Sequence, residues 1–492
     1  MRKHKVIAFD CHSFRKERYA GKRVVIMGYG VYAKGSGIAA TKYLAEAGAE
    51  VIVTDLRERD ILSENMKQLE HLPNITWKLG AHDHQDFLEA DFVVKNPGVH
   101  RDSPYLKGVS RIESDISLFL AEYRAMKLAN ESDLKLVAVT GSKGKSSTVS
   151  LVAYLLEKNQ QEVFLAGNIT TSPIFYLERL ASIEKGYIIL ELSSWQLGDL
   201  AGKALLLADI TMLTNLKADH LNYYQGNIRA YAEDKKVLFE NLSAESYALV
   251  DLDDRATAYF VSQISRGTIG YYSQKALPDL YANGSYWKDD KTLICRQNDD
   301  EVEYTLLNIP LGILLENAAK AIWIVSLLME SETSWHYDLT DYSGLIYRCQ
   351  LIDSDGHHRF FNDSAATIPE ATIAAIKMLA SEERALILIL GGASKGSDLS
   401  VLTSVMSSVT FAYLLDGTAN EEYLSLLEST QTPYLKGCQQ FESIIVDFED
   451  RFSEKYADLL LSPGVASFGL FINEFDRGER FSTAVKQRKK RG

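Results

Sequence analysis

The sequence predicts an α/β protein of three consecutive α/β domains with mainly parallel sheets. Two observations carry this. Short apolar runs of strand length alternate with helical patterns along the chain, and most runs end on glycine, proline or an acid. A third is length: 492 residues exceed what one ordinary core supports, so several domains are expected. The expected divisions are 1–126, 127–343 and 344–492.

The first unit opens with RVVIM at 23–27 and the glycine turn Gly28-Tyr-Gly30, followed by a helical pattern that stops at Gly48. A second strand at 50–55 ends on Asp55, and a third at 91–95 runs into Asn96-Pro97-Gly98. Strand, glycine turn, helix and strand with a terminal acid make a Rossmann-like unit, with Gly28, Gly30 and Ala33 as a loose fingerprint. The second unit starts near 135 with the apolar strand LVAVT at 136–140, then a helix over 146–157. Further strands are expected at 186–190 and 210–213, and the polar, aromatic stretch 271–305 reads as short strands or an insertion. A strand ending in a phosphate-type loop makes this unit P-loop ATPase-like. The third unit, again Rossmann-like, has strands at 385–390, 411–415 and 457–462.

Composition narrows the function classes. Hydrophobic residues make up 46% and charged residues 24%, with only 9 prolines, which is globular and not disordered. A net charge of −13 argues against nucleic acid as a partner. Cys11, Cys295, Cys349 and Cys438 are scattered without a Cys-x-x-Cys pair, suiting a reducing compartment and offering no zinc framework. No apolar stretch of about 18 residues suggests a membrane span, and no apolar segment follows the basic N-terminus as a signal peptide needs. A cytoplasmic location is expected, without a membrane or nucleic-acid partner and as a monomer.

The strongest chemical signal is GSKGKSST at 141–148. Glycines let backbone N–H groups turn inward on a phosphate, and the following helix adds its positive end. Lys145 supplies a point charge, and the Ser146 hydroxyl can bind Mg²⁺. Only two residues separate Gly141 from Gly144, against four in the standard loop. The bland alternative, a Gly/Ser turn beside exposed lysines, loses weight because a strand precedes and a helix follows. Glu191, in the run LELSSWQ at 190–196, closes a buried strand at the sheet end where open parallel sheets bind ligands. Alone, such an acid is more often merely exposed. Asp219-His220 and Lys235 follow the strand at 210–213, and each taken singly reads as structural or as a solvated face.

Together, the loop at 141–148, the Glu191 stretch and the Asp219-His220…Lys235 spacing resemble the Mur ligase family, in the same motif order over nearly the whole chain. Members of this family use ATP to activate a carboxylate of a UDP-linked muramic acid precursor as an acyl phosphate. An amino acid then attacks through a tetrahedral intermediate. Two Mg²⁺ ions and a lysine carbamylated by CO₂ commonly assist. Within the family the motifs are most similar to the branch that adds D-glutamate to UDP-N-acetylmuramoyl-L-alanine, in peptidoglycan precursor and cell-wall synthesis.

The resemblance implies roles residue by residue. Gly141, Ser142, Lys143, Gly144, Lys145, Ser146 and Ser147 would cradle the ATP phosphates. Ser146 and Glu191 would hold one metal, and His220 and the carbamylated Lys235 a second, with Lys145, His220 and Lys235 as the catalytic set. A carbamate turns a cationic amine into an anion able to face Mg²⁺, and two cations screen ATP from an anionic acceptor. Asn317 would approach the adenine, Arg348 the phosphates and Asp363 the ATP ribose. Gly30, Val31, Tyr32, Asp55, Arg57, Gly98 and Asn168 would line the UDP-substrate, which displaces a nicotinamide reading of the glycine turn. Thr367, Lys395, Ser467 and Phe471 would surround D-glutamate.

Three positions depart from the family pattern. Ala365 stands where a lysine is usual, Tyr347 replaces the histidine before Arg348, and around Gly312 only Asn317 keeps its motif. They leave open a Mur-like paralogue with another amino acid substrate, or a catalytically weak binding homologue.

Overall fold

The computed structural model describes residues 9–129, 132–169, 171–217, 223–298, 300–310, 313–329, 335–342, 344–381, 383–394, 396–467 and 469–488. By internal contacts the chain divides into two units: one of residues 1–306 with 315–337, the other of residues 307–314 with 338–492.

The first unit holds two sheets. One is formed by β1 (Arg23–Met27), β2 (Glu50–Asp55), β3 (Ile75–Leu79), β4 (Phe92–Lys95) and β5 (Ile112–Glu113), in the order β3-β2-β1-β4-β5. Every pair is parallel. Helices cover its faces, so Val24, Val25 and Ile26 are fully buried, which is why the run is apolar without alternation. The third glycine of the turn is not at position 33. At Gly37, in the helix Ser36–Glu46, a Cβ would lie 2.3 Å from the Tyr29 carbonyl oxygen, so helix and strand end meet there instead.

A helix that periodicity did not announce, Cys11–Tyr19, precedes this sheet. Its buried Arg15 donates to Glu122 at 3.0–3.1 Å and to Glu178 at 3.2 Å, while the Tyr43 hydroxyl donates to Glu122 at 2.7 Å. Glu122 lies in the helix Asp115–Ala129 and Glu178 in Leu177–Leu180, so one guanidinium ties helices of both sheets.

The second sheet runs through β6 (Asp133–Thr140), β7 (Val163–Gly167), β8 (Lys185–Glu191), β9 (Ile210–Leu213), β10 (Tyr247–Asp251), β11 (Thr268–Ser273), β12 (Gly284–Trp287), β13 (Thr292–Gln297), β14 (Asp300–Leu307) and β15 (Trp335–Asp338). Their order is β15-β14-β13-β12-β11-β10-β9-β6-β8-β7. The pairs from β7 to β12 are parallel, and the polar stretch expected as strands or an insertion is the antiparallel extension β12-β13-β14. Order changes direction around β6, where such sheets bind ligands at the carboxyl ends of their strands.

The second unit contains β16 (Gln350–Ser354), β17 (His358–Asn362), β18 (Ala385–Gly391), β19 (Phe411–Leu415), β20 (Tyr434–Cys438) and β21 (Ala457–Leu461), in the order β16-β17-β21-β18-β19-β20. All pairs are parallel but the first. All four cysteines are reduced and buried. Among the described residues no helix is long and apolar enough to cross a membrane.

Candidate active site

Residues 141–144 join β6 to the helix Lys145–Lys158. The turn is possible because Gly141 and Gly144 take φ of 148° and 83°, which side chains disfavour. Two residues at the end of β9 staple it. The backbone N–H groups of Ser142 and Lys143 donate to the Asn215 carbonyl at 3.0 Å and its side-chain oxygen at 2.9 Å. The Lys143 carbonyl accepts from Thr214 Oγ1 at 2.6 Å and Asn215 Nδ2 at 3.1 Å. Ser146 and Ser147 lie in the first helical turn, where the helix dipole favours an anion.

Two lysines converge on this loop. Lys145 Nζ donates to the carbonyls of Gly141 and Ser142 at 3.0 and 3.1 Å. Lys235, on the helix Ile228–Lys236, donates to the same Gly141 carbonyl at 3.0 Å and to Thr140 Oγ1 at 3.2 Å. It is 1% exposed, and its ammonium sits 4.6 Å from the Tyr231 ring centre. Tyr231 in turn shares a 3.0 Å hydrogen bond with the Ser142 hydroxyl.

Glu191 ends β8, opposite Val139 of β6 and Gly167 of β7. Its Oε1 accepts from Asn168 Nδ2 at 3.1 Å. Its Oε2 is buried and has no hydrogen-bond partner among the described residues. A buried carboxylate oxygen without a donor is costly unless a cation meets it. A buried carboxylate oxygen is the kind of hard donor Mg²⁺ takes, so this residue fits the metal. Asn317 is also buried, with its Oδ1 lacking a hydrogen-bond partner among the described residues and 2.5 Å from where a Cβ on Gly144 would stand. His220 lies outside the described residues.

At the first sheet, the backbone N–H groups of Tyr29 and Gly30 donate to one Asp55 oxygen at 2.9 and 3.1 Å. The Arg57 backbone and guanidinium take the other, at 2.9 and 3.2 Å. Asp55 is 2% exposed and braces the turn, while Arg57 is largely exposed beside it. Gly98 N–H donates to Asn96 Oδ1 at 3.0 Å, and Asn96 Nδ2 donates to the Gly28 carbonyl at 3.2 Å. Gly30, Asp55, Arg57 and Gly98 thus share one strand-end ridge, with Val31 and Tyr32 following on the turn.

In the second unit Asp363 follows β17 and accepts from the Ser462 hydroxyl at 2.7 Å and the Cys349 N–H at 3.0 Å. Burial pushes its carboxyl up to about 7, against those two bonds. Gly464 N–H donates to the Ala366 carbonyl at 2.9 Å, so the loops at 362–367 and 462–467 are joined. Thr367 lies on the first and the buried Ser467 ends the second. Phe471 is 8% exposed and stacks on Phe441 at 5.6 Å, so its ring belongs largely to the core. Arg348 is exposed, and Lys395 lies outside the described residues. Tyr347 has φ 62°, donates its hydroxyl to Glu479 at 2.8 Å, and packs where a Cβ on Gly478 would come within 2.5 Å.

Sequence reasoning missed several positioning groups. Thr214 and Asn215 carried a usable signal, since they directly follow a buried strand at its ligand-binding end. Arg477 carried none. Its fully buried guanidinium, whose pKa burial lowers to about 10, bonds Ser364 Oγ at 3.0 Å, the Ser364 carbonyl at 2.9 Å and the Val465 carbonyl at 3.3 Å.

Comparison with known proteins agrees with this arrangement. A family model of the Mur ligase middle domain matches residues 139–325, and one of the MurD-like N-terminal domain of Mur ligases matches 22–117. The UDP-N-acetylmuramoylalanine–D-glutamate ligase of Treponema pallidum is 31% identical over 537 residues, covering 95% of this chain and 98% of that one. The enzyme of the same name from Borreliella burgdorferi strain B31 is 32% identical over 474 residues, covering 94% and 97%. Among solved structures, UDP-N-acetylmuramate–alanine ligase MurC of Thermotoga maritima shares the fold with a TM-score of 0.55 at 14% identity, over 96% of this chain and 100% of that one. MurF of Acinetobacter baumannii does so with 0.57 at 12% identity, over 96% and 92%. With the glycine loop at 141–144, Lys145, Lys235 and Glu191 all at the carboxyl ends of β6 and β8, and with relatives this similar along their whole length, the chain belongs to the Mur ligase family.

Proposed function

We propose that this chain joins D-glutamate to UDP-N-acetylmuramoyl-L-alanine, cleaving ATP to ADP and phosphate, in peptidoglycan precursor synthesis. The observation that carries the reading is the meeting of Lys145 and Lys235 on the Gly141 carbonyl, at the sheet end where Glu191 keeps a buried oxygen with no donor among the described residues. The γ-phosphoryl group passes to the substrate carboxylate, giving an acyl phosphate and ADP. The D-glutamate amine then attacks the acyl carbon, a tetrahedral intermediate forms, and phosphate leaves with its electron pair as the amide closes.

Lys145 and the loop N–H groups hold the phosphates and balance their charge. Glu191 and Ser146 would hold one Mg²⁺ and His220 a second, which when bound screen ATP from the anionic acceptor. Lys235, whose ammonium must lose two protons as its nitrogen takes up CO₂ to become a carbamate, would add an anionic ligand to the second metal. Asn317, Arg348 and Asp363 complete the ATP contacts in this reading. Gly30, Val31, Tyr32, Asp55, Arg57, Gly98 and Asn168 receive the UDP-substrate, with Asp55 acting by holding the glycine turn. Thr367, Lys395, Ser467 and Phe471 receive D-glutamate. The functional domains are then 1–126 for the UDP-substrate, 127–343 for ATP and 344–492 for the amino acid, in a cytoplasmic monomer.

The test is phosphate release with ATP, Mg²⁺ and UDP-N-acetylmuramoyl-L-alanine across a panel of amino acids. Release with D-glutamate alone supports the proposal, and release with a different amino acid alone assigns the chain to another substrate. Absence of release with every amino acid overturns it.

A further inference from the structure

The last residue of β4 and the segment after it, which carries Gly98, send two cations to helices of the second sheet. Lys95, 1% exposed, pairs with Asp199 at 2.9 Å and donates to the Val99 carbonyl at 3.0 Å. The Arg101 guanidinium bonds Asp234, the residue before Lys235 on the helix Ile228–Lys236. The Tyr224 hydroxyl donates to the same Asp234 oxygen at 2.8 Å, and the Arg101 N–H donates to the Tyr223 hydroxyl at 3.4 Å. The pair runs through a slot that a larger residue would close. A Cβ on Gly198 would lie 2.6 Å from Arg101 Nη2 and 2.8 Å from the Asp234 carboxyl carbon. Asp199 and Gly198 belong to the helix Ser194–Leu200, which begins just beyond Glu191.

We infer that Arg101 is a positioning residue: through Asp234 it sets the placement of the helix that aims Lys235 at Thr140 and Gly141, and so couples the Gly98 segment to that lysine. The inference rests on the proposed roles of Lys235 and Gly98. The charge chemistry supports a pair that holds position. Asp234 keeps only 9% of its side chain exposed and shares its charge between a guanidinium and a phenol, so the carboxylate is fixed from two directions. An ordinary surface pair of fully exposed groups would hold little. Asp234 and Lys235 are successive residues on one helix, so a shift that releases the carboxylate also moves the ammonium relative to the loop.

Arg101→Gln and Arg101→Lys in the full chain separate this from a merely stabilising contact. Arg101→Gln is expected to lower kcat about 10- to 100-fold, the range a displacement of roughly 1 Å brings. KM for ATP should stay within about twofold, since the phosphate loop itself is untouched. Arg101→Lys, which keeps the charge, should recover most of the loss. Amide hydrogen exchange across 228–236 should quicken in Arg101→Gln and not in Arg101→Lys. Wild-type kcat in Arg101→Gln, with only its melting temperature lowered, overturns the inference. Unchanged exchange in that helix does so as well, and this readout holds even if the wild-type chain releases no phosphate, in which case the proposed function fails separately.

Discussion

Replacing Gly141 by alanine tests how the phosphate loop is held. At φ 148° an added Cβ would stand 1.9 Å from Thr214 Oγ1 and 3.1 Å from the Asn215 backbone nitrogen. The first contact needs roughly 1 Å or more of movement, because such atoms normally stay beyond about 3 Å. Thr214 cannot withdraw freely, since its hydroxyl donates to the Lys143 carbonyl at 2.6 Å. Strain and overpacking together cost about 1–3 kcal/mol of stability. A loop displaced by about 1 Å should bind ATP about 100-fold more weakly, which is about 2.8 kcal/mol. Calorimetric titration with ATP and Mg²⁺, beside urea denaturation, reads both quantities. Thr214→Ala removes the 1.9 Å contact and leaves the two at 3.1 Å, to the Asn215 nitrogen and the Cβ of residue 214, so in that background Gly141→Ala should cost at least about 1 kcal/mol less. Wild-type ATP affinity in Gly141→Ala, or strict additivity of the two substitutions, would refute the steric account.

Lys235→Ala should lose activity and regain part of it with added short carboxylic acids, measured by phosphate release; normal turnover would remove the carbamate role. Glu122→Ala leaves the buried Arg15 without its main partner and should destabilise the protein by about 3–5 kcal/mol in urea denaturation. Glu178→Ala, at the exposed end of the same guanidinium, should cost about 0–1 kcal/mol. Asp363 keeps its proton when folded up to about pH 7, whereas its ordinary value is 3.8. The folded chain therefore binds the extra proton between those values. The stability contributed is complete below about 4 and is lost as pH rises to about 7. Asp363→Asn should flatten that part of the curve of denaturation midpoint against pH; an unchanged slope would show that the carboxyl titrates normally.

Local pattern was enough for a strand such as Val24–Ile26, because two-sided burial leaves only apolar residues in the run. It was enough for the turn at 141–144 between strand and helix, because the positive φ of Gly141 and Gly144 asks for glycines at those offsets. It failed at Ala33, where only the approach of helix to strand shows Gly37 to be the packing glycine. It was equally silent on Arg15, Arg101 and Arg477, each of which reads as a surface charge until its partners arrive from distant segments. Phe471 carries a second fact that its motif did not: its ring stacks on Phe441 and is largely buried.

The sequence by itself determined the order of α/β units, the parallel strands, the phosphate loop and the family, since these rest on spacing within a few residues. Only the tertiary structure decided that Lys145 and Lys235 share one carbonyl, that Glu191 retains an oxygen with no donor among the described residues, and that Asp55 braces the glycine turn. Those facts depend on which strand ends lie side by side, and strand order is set by packing over the whole sheet.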